Sequence, residues 1–305
     1  MTTAPSSSGA AVAGAVSGRA RVGRRRGGRR RRVALAALKY ALLTLFALTT
    51  VLLPLWLMVV NSFKPQGEAN ELGVGLPHTW AIAANYGTVY HDGDFLRGLM
   101  NTTVVTLPAL AGMLLFGSFA AWIFARGRSR TIRALYYLSI VGILVPPAIV
   151  GAVLVLRWYG IYGSRFGLVL FYMGIFMSFA IFFMTGFIKT IPYELEESAR
   201  IDGAGPLRIF RKIILPLLAP ILATTLVVLL LFMWNDFIYP FYILNSSSQR
   251  TLTLGLYNFV SGYQYEIKWN LVFADVVLVS LPLVLVYFLA QRRVLSGLMG
   301  GAVNK

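Results

Sequence analysis

Six stretches of this chain are apolar for about as long as a bilayer is thick, at residues 36–60, 99–125, 134–156, 166–188, 213–238 and 271–290. A helix needs roughly 20 mostly apolar residues to cross the hydrocarbon layer, and each run meets that length. Little polar material remains to coat a body in water. Only 13% of the 305 residues are charged and 57% are hydrophobic, with a mean hydropathy of +0.70, whereas a soluble domain carries about a quarter charged residues. The expected class is an all-α integral membrane protein with six transmembrane helices.

The net charge of +17 suggests nucleic-acid binding until it is mapped. Residues 1–32 hold nine arginines and no acid among alanine, glycine and serine. Such a segment buries too little apolar area to fold, so it is expected as a disordered tail. Its arginines suit anionic lipid headgroups and set orientation. No folded basic surface or stacking aromatics accompany them, which argues against nucleic acid. The apolar run that follows is too long for a cleaved signal sequence, and no small-residue cleavage site comes after it. With the N-terminus inside, 22 of the 28 lysines and arginines fall on the cytoplasmic side, as the positive-inside rule favours. Both termini are then cytoplasmic and loop 61–98 is external.

Several chemistries have no residues to support them. The chain has no cysteine, so there is no disulfide framework and no thiolate site. His78 and His91 sit in a polar loop without a cluster of further ligands, so no metal site is expected. None of the six lysines follows a glycine, so a phosphate-binding loop ending in Gly-Lys-Ser/Thr is absent. No catalytic residue is expected, and no cofactor in this chain. Neither an inverted repeat nor a chain of buried acids marks an ion-coupled transporter. Asn101-Thr102-Thr103 fits a glycosylation pattern and is read instead as helix-start chemistry. Pro146-Pro147 interrupts the third run, where a kink against neighbouring helices ranks ahead of a pore-shaping break.

Between the fourth and fifth runs lies the most charged segment, "PYELEESARIDGAGPLRIFRKIILPLLAP", with four of the chain's eleven acids. Pro192 ends the fourth helix. A short helix follows with its acids in the first turn, where the helix dipole favours them. Gly203 interrupts it, and Pro206 opens a second arm at a position where the missing N–H costs nothing. Arg208, Arg211 and Lys212 then approach the bilayer surface, and Leu215-Pro216 leads into the fifth helix. Small residues at Ala199, Gly203, Ala204 and Gly205 let another surface come close. The shape suits docking of a partner on the cytoplasmic face.

The spacing in this segment is specific. Glu197-Ser198-Ala199, three residues, Gly203, nine residues, Ile213, one residue and Leu215-Pro216 resemble the signature loop of permeases in binding-protein-dependent ABC importers. Ser198 stands where alanine is common in that family. "IPYELEESARIDGA", "NSFK" (Asn61 to Lys64), "WNDFIYPFYIL" (Trp234 to Leu244), "TLTLGL" (Thr251 to Leu256) and the ending "RRVLSGLMGGAVNK" look like the carbohydrate-uptake branch. The ending resembles the second, maltose-type permease subunit. The likeness covers about residues 36–305. It implies a type I ABC importer permease fold in a bacterial inner or plasma membrane, with a cytoplasmic coupling helix between spans four and five.

The implied organisation is a tail (1–32), the first transmembrane helix and external loop (33–95), the permease domain (96–290) and a cytoplasmic C-terminal tail (291–305). Implied partners are a second permease subunit, two cytoplasmic ATPases that bind ATP and magnesium, an external solute-binding protein, a sugar or oligosaccharide, and lipid. Glu197 would pair with a cation on the ATPase, Ala199 and Gly203 would permit packing and the turn, Asp202 would hold the loop or touch the partner, and Pro216 would set the entry of span five. The runner-up within the family is a permease for an amino acid, peptide or polyamine. Outside it stands a stand-alone secondary transporter, which the loop argues against.

The solute path is less defined in the sequence. Trp234, Asn235 and Asp236 end the fifth run, Tyr239, Phe241 and Tyr242 follow, and Trp269, Asn270 and Asp275 open the sixth. Two readings stand. One is an interfacial aromatic belt with polar helix ends. In the other, Asn235 and Asp236 line the cavity or its outer gate, since aromatic faces stack on sugars and polar groups at membrane depth are expensive unless used.

Overall fold

The computed structural model describes residues 35–262 and 267–300. The arginine-rich tail at 1–32 lies outside the described residues, as do the last five positions. The chain divides into two compact units, 1–57 and 58–305. Four unbroken helices are long and apolar enough to cross a membrane: Leu35–Ser62, Phe95–Arg126, Arg165–Ile188 and Trp269–Leu289. Two helix pairs qualify only when joined, Arg130–Leu144 with Ile149–Trp158 and Pro206–Leu217 with Ala219–Trp234. Six crossings result if each pair counts as one, and no strand occurs among the described residues. Helices suffice because they pair their own backbone groups where no water is available.

The third crossing differs from its expectation. A single kinked helix was expected over 134–156; instead the two halves are bent by 116°. Val145 is extended, with ψ 119°, as a residue before proline must be. Pro146 and Pro147 together remove two consecutive N–H donors, so the helix cannot resume until Ile149. One proline bends a helix; this pair breaks it. The fifth crossing starts earlier than expected, at Pro206, and bends by 71°. The last helix runs on to Gly300, through the expected boundary at 290.

Two of the prolines leave a common local mark. The π-helical turn Leu48–Leu52 precedes Pro54, and the π-helical turn Phe210–Ile214 precedes Pro216. A proline ring crowds the carbonyl four residues back, which here is Thr50 or Lys212. Both carbonyls sit inside the widened turn, which gives the ring room without ending the helix.

The core of the larger unit is built on the second and fourth spans. Val105, Ala109 and Met113 interlock with Leu168, Tyr172 and Met184, all buried. Gly117 sets how closely the helices approach: a Cβ there would lie 2.9 Å from Cε of Met184 and 3.2 Å from the Ala180 methyl. Small residues at such contacts are how helices pack where lipid supplies no hydrophobic drive.

Polar residues tie the loops to the spans. The Lys64 ammonium is buried and donates to Asn61 Oδ1 (3.1 Å) and the Gly73 carbonyl (2.7 Å). Asn85 donates to the carbonyls of Ser62 and Lys64 and accepts from Asn270 of the last span at 2.7 Å. The "NSFK" stretch is therefore the knot that fastens the first loop. Asn101 and Thr102 do not start a helix. They lie inside the second span, where Asn101 Nδ2 donates to the carbonyls of Ser248 and Arg250, both at 2.9 Å, and Thr102 Oγ1 accepts from the Leu252 N–H. They hold the 247–252 loop against the head of the span.

Candidate functional site

The segment between the fourth and fifth crossings folds as two short arms about a glycine. Its first helix is Glu194–Ile201, with Glu194, Glu196 and Glu197 in the opening turn. It closes through a Schellman cap. The Ala204 N–H donates to the Ala199 carbonyl at 2.9 Å and the Gly203 N–H donates to the Arg200 carbonyl at 3.0 Å. Gly203 takes φ +78°, the left-handed conformation this cap needs and glycine allows without a Cβ penalty. A Cβ at Gly203 would meet no atom within 4 Å, so the requirement is one of backbone and not of space. Ala199 and Ala204, the two ends of the longer cap bond, pack against the core. The four-residue spacing from Ala199 to Gly203 is thus the spacing of a helix end. The second arm starts at Pro206 and continues through Leu215 and Pro216 to the bend at Leu218.

One acid of this segment is fully buried, and it is Glu196. Its carboxylate accepts from Arg126 Nε at 2.7 Å and from Trp122 Nε1 at 3.1 Å. Arg126 also donates through Nη2 to the Ile191 carbonyl at 2.9 Å. Arg126 and Trp122 are the last turn of the second span. The other arm meets the same end of the span: Phe210 stacks on Phe119, one turn before Trp122, with ring centres 3.8 Å apart and packs beside Trp122 at 5.7 Å. Both arms are thereby latched to the end of span two, and Trp122 touches each of them.

The remaining residues of the motif face outward. Glu197, Ser198, Asp202, Gly203 and Pro216 are exposed, while Ala199 and Leu215 are half-buried. Ser198 Oγ bonds only within its own helix, to the Glu194 carbonyl. Beside them Ile201 is 82% exposed and Leu207 60%. An open groove of about 590 Å³ runs along Gly203, Pro206, Leu207, Arg208, Arg211 and Lys212. Exposed apolar side chains flanked by charges form a surface suited to a protein partner.

The residues singled out for the solute path separate in space. Trp234 is buried and donates to the Val279 carbonyl of the last span at 3.2 Å, so it joins two spans. Asn235 and Asp236 do line an open groove of about 570 Å³, together with Phe176, Phe232 and Tyr239. Phe176 and Phe232 lie nearly parallel, 5.9 Å apart. Asp236 accepts from the Tyr172 hydroxyl (2.7 Å) and from the N–H groups of Ile238 (2.9 Å) and Tyr239 (3.3 Å). It therefore starts the short helix Ile238–Ile243 and anchors it to the fourth span. Asp236→Ala removes three acceptor contacts at once and is expected to lower transport while the chain stays in the membrane. Uptake and membrane abundance measured side by side check this. Wild-type uptake in the variant would remove Asp236 from the path.

The model of one family, described as binding-protein-dependent transport system inner membrane component, matches residues 113–298. The chain belongs to that family. The match takes in the latched loop and the groove at Asn235 and Asp236 together. Similar relatives of this inner membrane component include the diacetylchitobiose uptake system permease protein NgcG of Streptomyces coelicolor, 31% identical over 87% of this chain and 88% of its own. The probable starch degradation products transport system permease protein AmyC of Thermoanaerobacterium thermosulfurigenes is 33% identical over 83% and 91%. The multiple sugar-binding transport system permease protein MsmG of Streptococcus mutans is 34% identical over 87% and 96%. Among solved structures, a chain of a bacterial ABC transporter involved in alginate import superposes with a TM-score of 0.77 at 24% identity, over 86% of this chain and 97% of that one. At that identity the likeness concerns the fold, and it agrees with a type I ABC importer permease.

Within this family member, the residues missed at the level of sequence are Glu196, Arg126 and Trp122. A signal for Glu196 was present. It lies three residues before Ala199, hence on the same helix face, while the motif's Glu197 lies about 100° further round. If Ala199 packs inward, Glu196 must as well, and a buried carboxylate needs a cation. Nothing local names Arg126 as that cation.

Proposed function

We propose that this chain is the transmembrane subunit of an ATP-driven sugar importer, forming half of the translocation pathway. The observation that carries this reading is the latched helix Glu194–Ile201, whose outward face is free beside an apolar and cationic groove. Such a face suits a cytoplasmic ATPase. The lysine and arginine distribution supports placing it inside the cell with both termini. Hydrolysis of ATP, with its magnesium, falls to two such ATPases, and a second permease subunit completes the pathway. The sugar class follows from the relatives, whose names concern diacetylchitobiose, starch products and multiple sugars. The groove at Asn235 and Asp236, with Phe176, Phe232 and Tyr239, supplies aromatic faces and polar acceptors of the kind sugars use.

In this scheme Glu197 and Asp202 meet the ATPase, Ser198 and Gly203 allow it close, and Ala199, Leu215 and Pro216 hold the loop's shape. The test is reconstitution of the chain with its co-purifying partners in vesicles. ATP-dependent accumulation is then followed for trehalose, raffinose, maltotriose and diacetylchitobiose against glutamine and spermidine. Accumulation of at least one saccharide is expected. Accumulation of glutamine or spermidine alone would replace the sugar assignment.

A further inference from the structure

At the end of the second span opposite the latch, roughly 40 Å away at 1.5 Å per helical residue, lies a cavity that the coupling site does not use. Its volume is about 330 Å³. Phe95 and Gly98 at the head of the second span, Arg250 in the 247–252 loop, Gly255 and Asn258 on the helix Leu252–Ser261, and Asp275 on the last span line it. Asp275 is 5% exposed, and its carboxylate has no hydrogen-bond or ion-pair partner among the described residues. The Arg250 guanidinium, on the same cavity, is likewise without a partner. Arg97 is not, since it pairs with Asp94 at 2.8 Å on the rim.

A buried carboxylate on a membrane span is costly unless something compensates it. Here no hydrogen bond or ion pair among the described residues compensates it, and the cavity holds the space of about ten waters at ~30 Å³ each. The walls decide what suits that space. A metal ion is disfavoured: Asp92 and Asp94 line the cavity too, but Asp94 is paired with Arg97, the Arg250 guanidinium faces the same space, and no group of three acids or histidines set for a metal occurs among the described residues. An unpaired acceptor and an unpaired donor facing one space, beside the Phe95 ring, suit a neutral ligand that both donates and accepts hydrogen bonds. That is the chemistry of a sugar ring.

We propose that this cavity is an outer saccharide subsite, in which Asp275 accepts from sugar hydroxyls and Arg250 donates to them. The proposal rests on the sugar-import reading and extends it. It places a holding point for the solute within this one chain, on the external side, ahead of the groove at Asn235 and Asp236.

The chain has no cysteine, so Gly255→Cys gives it a single thiol. A Cβ at Gly255 meets no atom within 4 Å, so the fold tolerates the change. In the assembled transporter, a membrane-impermeant maleimide applied from outside is expected to label this thiol. Trehalose, raffinose, maltotriose and diacetylchitobiose are each added before the label. A saccharide present at ten times its Kd slows labelling about tenfold, by the factor 1 + [L]/Kd. Adding Asp275→Ala is expected to leave the sugar-free labelling rate unchanged and abolish the protection. No labelling from outside, no protection by any saccharide, or protection that survives Asp275→Ala overturns the subsite. Saccharide accumulation in the reconstituted vesicles separates the two ideas. If a sugar is accumulated but never protects, the subsite fails and the import reading stands. Protection by glutamine or spermidine alone, with no sugar accumulated, removes both.

Discussion

Arg126→Ala is expected to abolish most transport while leaving ATP hydrolysis in place. The substitution strands Glu196, which is fully buried and has Arg126 as its closest cation at 2.7 Å. The other cation near it, Arg200, is 3.8 Å away and half-exposed. Removing one partner of a buried pair costs about 3–5 kcal/mol, more than the hydrogen bond from Trp122 can offset. The loop helix then loses its hold on span two, although its outward face, where an ATPase would bind, is untouched. Uptake and ATP hydrolysis measured in the same vesicles should separate: uptake falls more than about tenfold, which needs only ~1.4 kcal/mol, and hydrolysis persists. Arg126→Lys should recover part of the loss, because an ammonium lacks the planar fork that reaches both Glu196 and the Ile191 carbonyl. An Arg126→Met, Glu196→Leu pair should restore membrane abundance, since apolar replacements of buried ion pairs are often tolerated. Full transport in Arg126→Ala would mean that the latch carries no motion.

The second large effect concerns the opposite face of the same helix. Glu197→Arg combined with Gly203→Asp should leave the chain in the membrane but strip it of co-purifying ATPase activity. Both positions are exposed, and a Cβ at Gly203 meets open space, so no neighbouring side chain is displaced. The φ of +78° at Gly203 strains any other residue, but aspartate tolerates the left-handed backbone better than most, which limits the local cost. Charge reversal at a docked surface costs several kcal/mol, enough to remove a partner through washing. A pull-down from solubilised membranes, wild type beside the variant, reads this directly. Equal ATPase activity in both samples would rule out docking through this face.

Much of the fold was legible because proline and glycine act locally. Pro192 and Pro206 bound the loop, and Gly203 sits at the helix end where its backbone is required. The angle at Pro146-Pro147 was not legible. Donor loss predicts a break, but the 116° between the halves depends on what each half packs against. The latch was only half legible. The pattern places Glu196 inward, yet Arg126 lies 70 residues earlier, and its pairing emerges only when span two meets the loop. The partner of Trp234 was equally hidden: its indole N–H reaches the Val279 carbonyl, 45 residues later in the chain.

The double hold of Trp122 on both arms has a consequence for exchanging parts between transporters. The loop reads as one contiguous block, 192–216, and invites transplantation as such. Its working module is discontiguous, because the socket that seats Glu196 and Phe210 is the last two turns, Phe119–Arg126, of another helix. A chimera that carries the block alone inherits a plug without its socket. One that also carries the end of span two moves a complete joint.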